Sequence, residues 1–270
     1  MVHIRWLAAP AFALLMPLAA AAQPAAPGWR DRLPALALDG PVTPLDAPRA
    51  VGGRAWSGFS RLCTEDRILQ PGGEATLTTA PRCIAITAAA DGIAARLGMR
   101  VEGVSPGATI RLRRDAEGAV QGVDVEPDAG LPPVTPQRRA ALLDAFARML
   151  TALTVTPRQL GAGDRFTPPA APEPALDGGQ AEHHLACTIG GRATYRGRDV
   201  LVADCAGVFD GELLPGSAAR MEILMRVAVE ESTGLLALQT GVTRTAMRSR
   251  QGEGWREDGV AVTLRKASFE

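Results

Sequence analysis

Apolar and polar residues alternate along much of this chain, and the alternation predicts β-strands. The longest run has an apolar residue at every second position: Met221, Ile223, Met225, Val227 and Val229. Glu222, Arg226 and Glu230 occupy positions between or beside them. Successive side chains of a strand point to opposite faces of a sheet, so this run predicts one apolar and one water-facing face. Residues 110–113 and 260–265 repeat the pattern over shorter runs.

Turn sequences recur at short intervals between these runs, which indicates hairpins. The turns that end in glycine are Asp91-Gly92, Glu117-Gly118, Thr233-Gly234 and Asp258-Gly259. Asp-Gly between β-favouring runs is a strong hairpin signal, and a sheet with one polar face is typical of antiparallel strands. The predicted fold class is therefore mainly β, an antiparallel curved sheet (or sheets) or half-barrel built from hairpins.

One amphipathic helix is predicted between two β-rich halves. Thr135 can cap the helix, and Pro136 suits its first turn. The apolar residues that follow have helical spacing: Leu142, Phe146, Met149, Leu150 and Leu153. This order is compatible with two β-sheet halves, or with a single curved sheet that holds the helix against its concave face.

The first 22 residues have the three regions of a cleavable secretory signal. Arg5 is their single formal charge, 13 residues from Trp6 to Leu18 form an apolar region, and four alanines follow. The apolar region is shorter than the roughly 20 residues that a membrane span needs. We therefore expect cleavage between Ala22 and Gln23, a periplasmic or secreted product, and no transmembrane segment after signal removal.

Composition divides the rest of the chain into four parts. Residues 23–54 contain six prolines and no steady periodicity, which predicts a Pro-rich N-terminal arm. Residues 55–154 form the N-terminal β-rich half with the helix. A second Pro-rich segment, 155–180, is predicted as a linker, and residues 181–270 form the C-terminal half of β-hairpins.

The cysteines are predicted to form two disulfides. Four of them follow the signal: Cys63, Cys83, Cys187 and Cys205. An even number in an exported chain favours disulfides, and no C-x-x-C motif or Cys/His cluster suggests a metal or redox site. A three-residue hairpin loop centred on Arg196 would place Cys187 opposite Cys205. A turn centred on Gly73 would likewise pair Cys63 with Cys83.

Charge and aromatic content argue against several classes of partner. Signal removal takes only Arg5 from 29 basic residues, which leaves 28 against 29 acidic residues and a net charge of −1. Such balance gives no reason to expect nucleic acid. Aromatic residues make up only 4%, which disfavours a stacking platform. One group of arginines, Arg244, Arg248, Arg250 and Arg256, is interpreted as an exposed mixed-charge hairpin, with an anion-binding cluster as the alternative.

Gly103-Val104-Ser105-Pro106-Gly107 matches the G-x-S-x-G pattern of hydrolases by letter only. In those enzymes the N–H of the residue after the serine helps to bind the oxyanion, and Pro106 has no N–H. The flanking sequences are both typical of strands, whereas the motif requires a strand-to-helix turn. We interpret the segment as a turn.

Histidine chemistry is restricted to His183 and His184 after signal removal. Adjacent residues on a strand point to opposite faces, so these two do not readily bind one metal ion. One of them could still act as a general base in a secreted hydrolase. Asp199, Asp204 and Asp210 could supply a carboxylate pair for glycoside chemistry, and solvated charges are the alternative.

Two segments carry a resemblance to known proteins. Residues 191–202 contain Tyr195-Arg196-Gly197-Arg198, and residues 231–236 contain Thr233-Gly234-Leu235. Over residues 181–248 the chain resembles exported β-rich bacterial proteins of unknown function. These are similar to periplasmic lipoprotein-carrier half-barrels, in which a curved antiparallel sheet and a helix enclose an apolar cavity. The resemblance implies a fold and an apolar ligand, and it transfers no ligand-contacting residue.

The function predicted from the sequence is a non-enzymatic binding or envelope-associated module. Its ligand would be apolar, such as a lipid, or its partner another envelope protein. No catalytic residue, metal ligand or cofactor is predicted. The alternatives are a secreted hydrolase that uses His183 or His184, and a purely structural envelope module.

Overall fold

The computed structural model describes most of the 270-residue chain. The described residues are 28–54, 58–69, 75–78, 82–89, 92–98, 107–114, 120–127, 154–167, 182–214, 217–252 and 254–270. The predicted signal peptide, its cleavage site and the helix predicted between Thr135 and Leu153 lie outside these residues.

Fourteen strands account for nearly all regular structure in the described residues. They are β1 (Arg49–Val51), β2 (Arg61–Leu69), β3 (Ala75–Thr78), β4 (Arg82–Ala89), β5 (Gly92–Gly98), β6 (Gly107–Arg114), β7 (Val120–Pro127), β8 (Arg158–Leu160), β9 (Arg165–Phe166), β10 (Glu182–Tyr195), β11 (Arg198–Leu214), β12 (Ser217–Glu230), β13 (Leu236–Gln251) and β14 (Gly254–Phe269). The one helical element among them is a 3-10 turn at Arg30–Arg32. The mainly β prediction is confirmed, whereas the amphipathic helix finds no support in the described residues.

Twelve strands form one open antiparallel sheet in the order β7-β6-β5-β4-β2-β14-β13-β12-β11-β10-β9, with β3 also paired to β2. The C-terminal strand β14 pairs with β2, from Leu62 opposite Phe269 to Leu69 opposite Val262. Strands from the two halves of the sequence therefore lie in one sheet. A separate ribbon consists of β1 and β8, and β8 and β9 come from the segment predicted as a linker.

The β10–β11 hairpin differs from its prediction in the turn but not in the cysteine pairing. Its loop has two residues, Arg196 and Gly197, with φ angles of 51° and 70°. Positive φ at both positions is typical of a type I′ turn, which matches the twist of a hairpin. A β-bulge between Ile189 and Gly191 then shifts the register by one residue, so that Cys187 lies opposite Cys205. The prediction of a three-residue loop was wrong because it did not include the compensating bulge.

Both pairs of cysteines are bonded as the hairpin argument predicts. Cys63 is joined to Cys83 and Cys187 to Cys205, with Cα–Cα distances of 4.1 and 3.9 Å. No cysteine is left free. Each bridge closes a loop of about 20 residues and contributes about 3 kcal/mol in the chain-entropy account.

The central part of the sheet is buried on both faces, so the prediction of one water-facing side is wrong there. Leu201 and Val227 belong to the core of one face, under Val51, Val155, Leu160 and Phe166. The opposite face buries Val202 and Ala228 against a core that includes Phe59 and Tyr195. The alternating pattern could not reveal this second cover, because the covering residues come from segments without periodicity.

The Pro-rich arm supplies much of that cover. Trp29 is buried with Leu69 and Val242 on one face, whereas Val51 is buried on the other. Between them, Thr43 exchanges backbone hydrogen bonds of 2.8 Å with Arg192 at the edge of β10. The described part of the arm therefore crosses from one face of the sheet to the other and packs on both.

Candidate functional site

The candidate site is an apolar strip on β12 that continues the buried core outward. Met221, Ile223 and Met225 are half-buried, whereas Val227 and Val229 at the end of the same face are buried. Alternation places all five side chains on one side of the strand. We call Met221, Ile223 and Met225 the methionine face.

The buried core that includes the β1–β8 ribbon ends where the methionine face begins. Val51 of β1 and Leu160 of β8 are 1% exposed and pack in the core that contains Val227 and Val229. Met225 is only partly buried and packs against the margin of that core. The methionine face is thus an apolar surface that adjoins the core but is less covered.

Glycines on the two neighbouring strands leave the methionine face without large side chains beside Ile223 and Met225. Gly207 of β11 lies opposite Ile223, and Gly241 of β13 lies opposite Met225. A β-carbon at Gly241 would lie 3.3 Å from Cγ of Met225, so glycine allows the methionine to lie over this position. Thr243 is the other neighbour of Ile223. The flexible thioether of methionine can adapt to irregular apolar ligands.

The opposite face of the same strands carries balanced ion pairs. Arg244 lies 3.4 Å from Glu222 and 3.5 Å from Glu257. Arg248 is hydrogen-bonded to Asp210, which also pairs with Arg220. Two arginines of the predicted cluster, Arg244 and Arg248, are therefore neutralised by carboxylates. The mixed-charge interpretation fits these contacts better than an anion site does.

A buried polar network closes the β12–β13 turn, and sequence analysis missed it. Glu230 is 3% exposed, and its carboxylate accepts hydrogen bonds from Arg198 at 2.6 Å, Ser232 at 3.1 Å and Thr233 at 2.6 Å. The guanidinium of Arg198 also lies over the ring of Phe59, 4.3 Å from its centroid. Because its charge is paired and its oxygens accept hydrogen bonds, we interpret the Glu230 carboxylate as a group that stabilises the turn. The sequence signal for this network was the pair Ser232-Thr233, which follows Glu230 by two and three residues.

Segments far apart in sequence dock on the same turn. Gly52 and Arg54 of the arm donate backbone hydrogen bonds to the carbonyls of Glu231 and Ser232, at 2.8 and 3.0 Å. Val155 donates to Gly234 at 2.7 Å. A β-carbon at Gly234 would lie 2.5 Å from the Val155 carbonyl oxygen, and its φ is 70°, so both sterics and backbone favour glycine.

One carboxyl beside this turn has a shifted pKa. Partial burial raises the pKa of Glu231 above its ordinary value. The positive charges of Arg49 and Arg192 oppose the shift, and the negative charge of Asp199 adds to it. The net direction is upward because desolvation is the largest cause. Glu231 therefore takes up a proton more readily than a solvated glutamate.

The histidine and serine candidates for hydrolase chemistry lie largely outside the described residues. His183 and His184 lie on β10, opposite Phe209 and Val208 of β11, and their side chains lie outside the described set. Residues 103–106 of the G-x-S-x-G segment also lie outside it, and Gly107 begins β6.

The three aspartates are too far apart along β11 for a glycosidase pair. Asp204 and Asp210 are six residues apart on one strand, which corresponds to about 20 Å. Paired carboxylates of glycosidases are about 5–9.5 Å apart. Asp204 is bonded to Arg226 at 2.6 Å, and Asp199 lies on the opposite face at the turn. Ion pairing accounts for Asp204 and Asp210.

Among the described residues, His, Cys, Asp and Glu side chains form no group of three that could hold a metal ion. The described segments also contain no helix with the length and apolar character needed to cross a membrane.

The described residues define a mainly β protein with an open antiparallel sheet and a partly covered apolar strip. Comparison of the chain with protein-family models, curated proteins and solved structures finds no match.

Proposed function

We propose that the chain is an exported, non-enzymatic module that binds an apolar ligand on the methionine face. The observation that carries the proposal is the change in burial along β12: Val227 and Val229 are 1% and 0% exposed, whereas Met221, Ile223 and Met225 are half-buried. A ligand with an acyl chain would extend the core along the strand. Burial of each additional methylene contributes about 0.8 kcal/mol.

Export to the periplasm, or secretion, is part of the proposal. The two disulfides support it, because such bonds persist in oxidising compartments. Cleavage between Ala22 and Gln23 would place the new N-terminus six residues before Trp29, which is packed on the sheet. The open antiparallel sheet also agrees with the architecture that the resemblance to lipoprotein-carrier half-barrels implies.

The experiment is native mass spectrometry, with lipid extraction, of the protein purified from the periplasm. A fluorescent fatty-acid analogue then gives a dissociation constant for the wild type and for Ile223→Asn. We expect binding to weaken at least roughly tenfold in this variant, because an amide would be buried against the acyl chain.

Val208→Asn is the matched control. Val208 is also a β-branched residue in the long strands, but it is 36% exposed and lies on the ion-pair face, opposite Glu222. Its replacement should leave binding unchanged. Absence of both co-purifying lipid and probe binding would contradict the proposal and favour the structural module. Equal weakening in the two variants would show that the methionine face is not the site.

A further inference from the structure

The two disulfides differ in their access to solvent. Cys187 and Cys205 are 0% and 3% exposed within the core under the β1–β8 ribbon. Cys63 is 8% exposed, but its partner Cys83 is exposed. A thiolate opens a disulfide by direct attack on a sulfur, so access decides which bond reacts. The Cys63–Cys83 bond therefore offers the accessible target.

This accessible bond lies at a narrow junction of the large sheet. β2 and β4 pair over four residues, from Arg61 opposite Ala85 to Thr64 opposite Arg82. By contrast, β2 and β14 pair over eight residues, and β11 and β12 over fourteen. The Cys63–Cys83 pair is one of the four at the junction.

The strands beyond the junction depend on β4 for their place in the sheet. The second part of β4, from Ala85 to Ala89, pairs with β5, and β6 and β7 follow in order. Next to the junction, β3, which precedes β4 in the chain, pairs with β2 over three residues, from Arg67 opposite Thr78 to Leu69 opposite Ala75. The amide of Ile86 donates to the Ser60 carbonyl at 2.7 Å, and the Ile86 side chain packs against the core. The Cys63–Cys83 bond is the covalent cross-link between β4 and β2.

We propose that Cys63–Cys83 is a redox-sensitive latch for the β4–β7 strands. A dithiol, as in an envelope thiol–disulfide oxidoreductase, would supply the two electrons. One of its thiolates attacks Sγ of Cys83, the S–S bond breaks, and Cys63 leaves as a thiolate that takes a proton. The second thiol then attacks the mixed disulfide and releases Cys83. The protein gains two thiols, and the reagent becomes a disulfide.

Opening the latch frees the β4–β7 strands without unfolding the rest of the sheet. The long pairings of β10 to β14 do not include either latch cysteine, and the Cys187–Cys205 bond stays closed in its core. β2 itself stays paired with β14. Local opening of weakly paired units is the usual way in which one part of a fold becomes mobile.

The first experiment measures reduction of the full oxidised chain by dithiothreitol. Samples are quenched with an alkylating reagent, and peptide mass spectrometry gives the modified fraction of each cysteine over time. We expect Cys63 and Cys83 to react at least roughly tenfold faster than Cys187 and Cys205 in native buffer. The two pairs should react at similar rates in concentrated urea. Equal native rates, or faster reaction of Cys187–Cys205, would overturn the proposal.

The second experiment measures hydrogen exchange of the selectively reduced and alkylated wild-type protein. Amides of β4 to β7 should exchange faster than in the oxidised protein, whereas those of β11 to β13 should not change. Cys63→Ser with Cys83→Ser should reproduce this pattern. If the variant fails to fold, the wild-type measurement still decides. Unchanged exchange in β5 to β7 after selective reduction would refute the latch.

Discussion

Removal of Arg198 tests whether the buried Glu230 carboxylate depends on its ion pair. Arg198 Nη1 lies 2.6 Å from Glu230 Oε1, and the two side chains are 26% and 4% exposed. Arg198→Met keeps an apolar stem but leaves the carboxylate with hydroxyl donors alone. Loss of one partner of a buried pair costs about 3–5 kcal/mol. Because Arg198 is partly exposed and Ser232 and Thr233 still donate, we expect a loss of about 2–3 kcal/mol.

Arg226→Met is the matched control for this prediction. Its pair with Asp204 has the same N–O distance, 2.6 Å, but the two side chains are 40% and 62% exposed. An exposed pair contributes about 0–1 kcal/mol. The two variants therefore change the same chemical group at the same distance and differ in burial. Urea unfolding with intact disulfides, monitored by circular dichroism, gives the free energy of unfolding of each variant.

A double-mutant cycle separates the ion pair from the contact with Phe59. Arg198→Met also removes the guanidinium from the aromatic ring, which accounts for about 0.5–2 kcal/mol by itself. Glu230→Gln, combined with Arg198→Met, isolates the coupling between the two charges, expected at about 1–3 kcal/mol. A loss in Arg198→Met no larger than that in Arg226→Met would refute the reasoning, and so would a coupling near zero.

Further predictions concern pH, the arm and catalysis. The folded state raises the pKa of Glu231, so the free energy of unfolding falls as pH rises through that pKa. Glu231→Gln should therefore be more stable than the wild type at pH 7, by under about 1 kcal/mol in urea unfolding. The same gain in stability below about pH 4 would contradict this prediction. A β-carbon at Gly191 would lie 2.5 Å from the carbonyl oxygen of Thr43 in the arm, so Gly191→Ala should speed proteolysis of the arm. Gly190→Ala is the control and should not speed it, because a β-carbon at Gly190 would lie 3.8 Å from its nearest neighbour, the Val202 carbonyl oxygen. His183→Ala with His184→Ala should leave fatty-acid binding unchanged; loss of ester turnover in that double variant would instead support a hydrolase.

Local patterns predicted the strands and the cysteine pairs because both depend on residues close in sequence. The hairpin that joins Cys187 to Cys205 follows from one turn and one alternation, and its cysteines are 18 residues apart. Even so, the correct cysteine pairing came from two errors that cancel. The predicted turn at Arg196-Gly197 was one residue too long, and the bulge before Gly191, which was not predicted, shifts the register back by one residue. Strand pairing tolerates such exchanges because a bulge restores the register.

Contacts between distant segments could not be predicted from the same patterns. The pair of Thr43 with Arg192 joins positions 149 residues apart, and the arm that carries Thr43 has no periodicity. Glu230 was assigned to a water-facing position because alternation gives the direction of a side chain but not what covers it. Arg198, the residue that compensates its charge, is 32 residues earlier in the chain.

The run from Met221 to Val229 shows how this limit affects the functional argument. Sequence treats its five apolar residues as equivalent members of one apolar face. Val227 and Val229 lie in one buried core with Val51, Val155 and Leu160, and this core divides the run into a closed end and the methionine face. The surface open to a ligand on β12 therefore begins where this buried core ends. A strand pattern predicts which residues share a face, but only the packing of distant segments determines which of them remain available to a ligand.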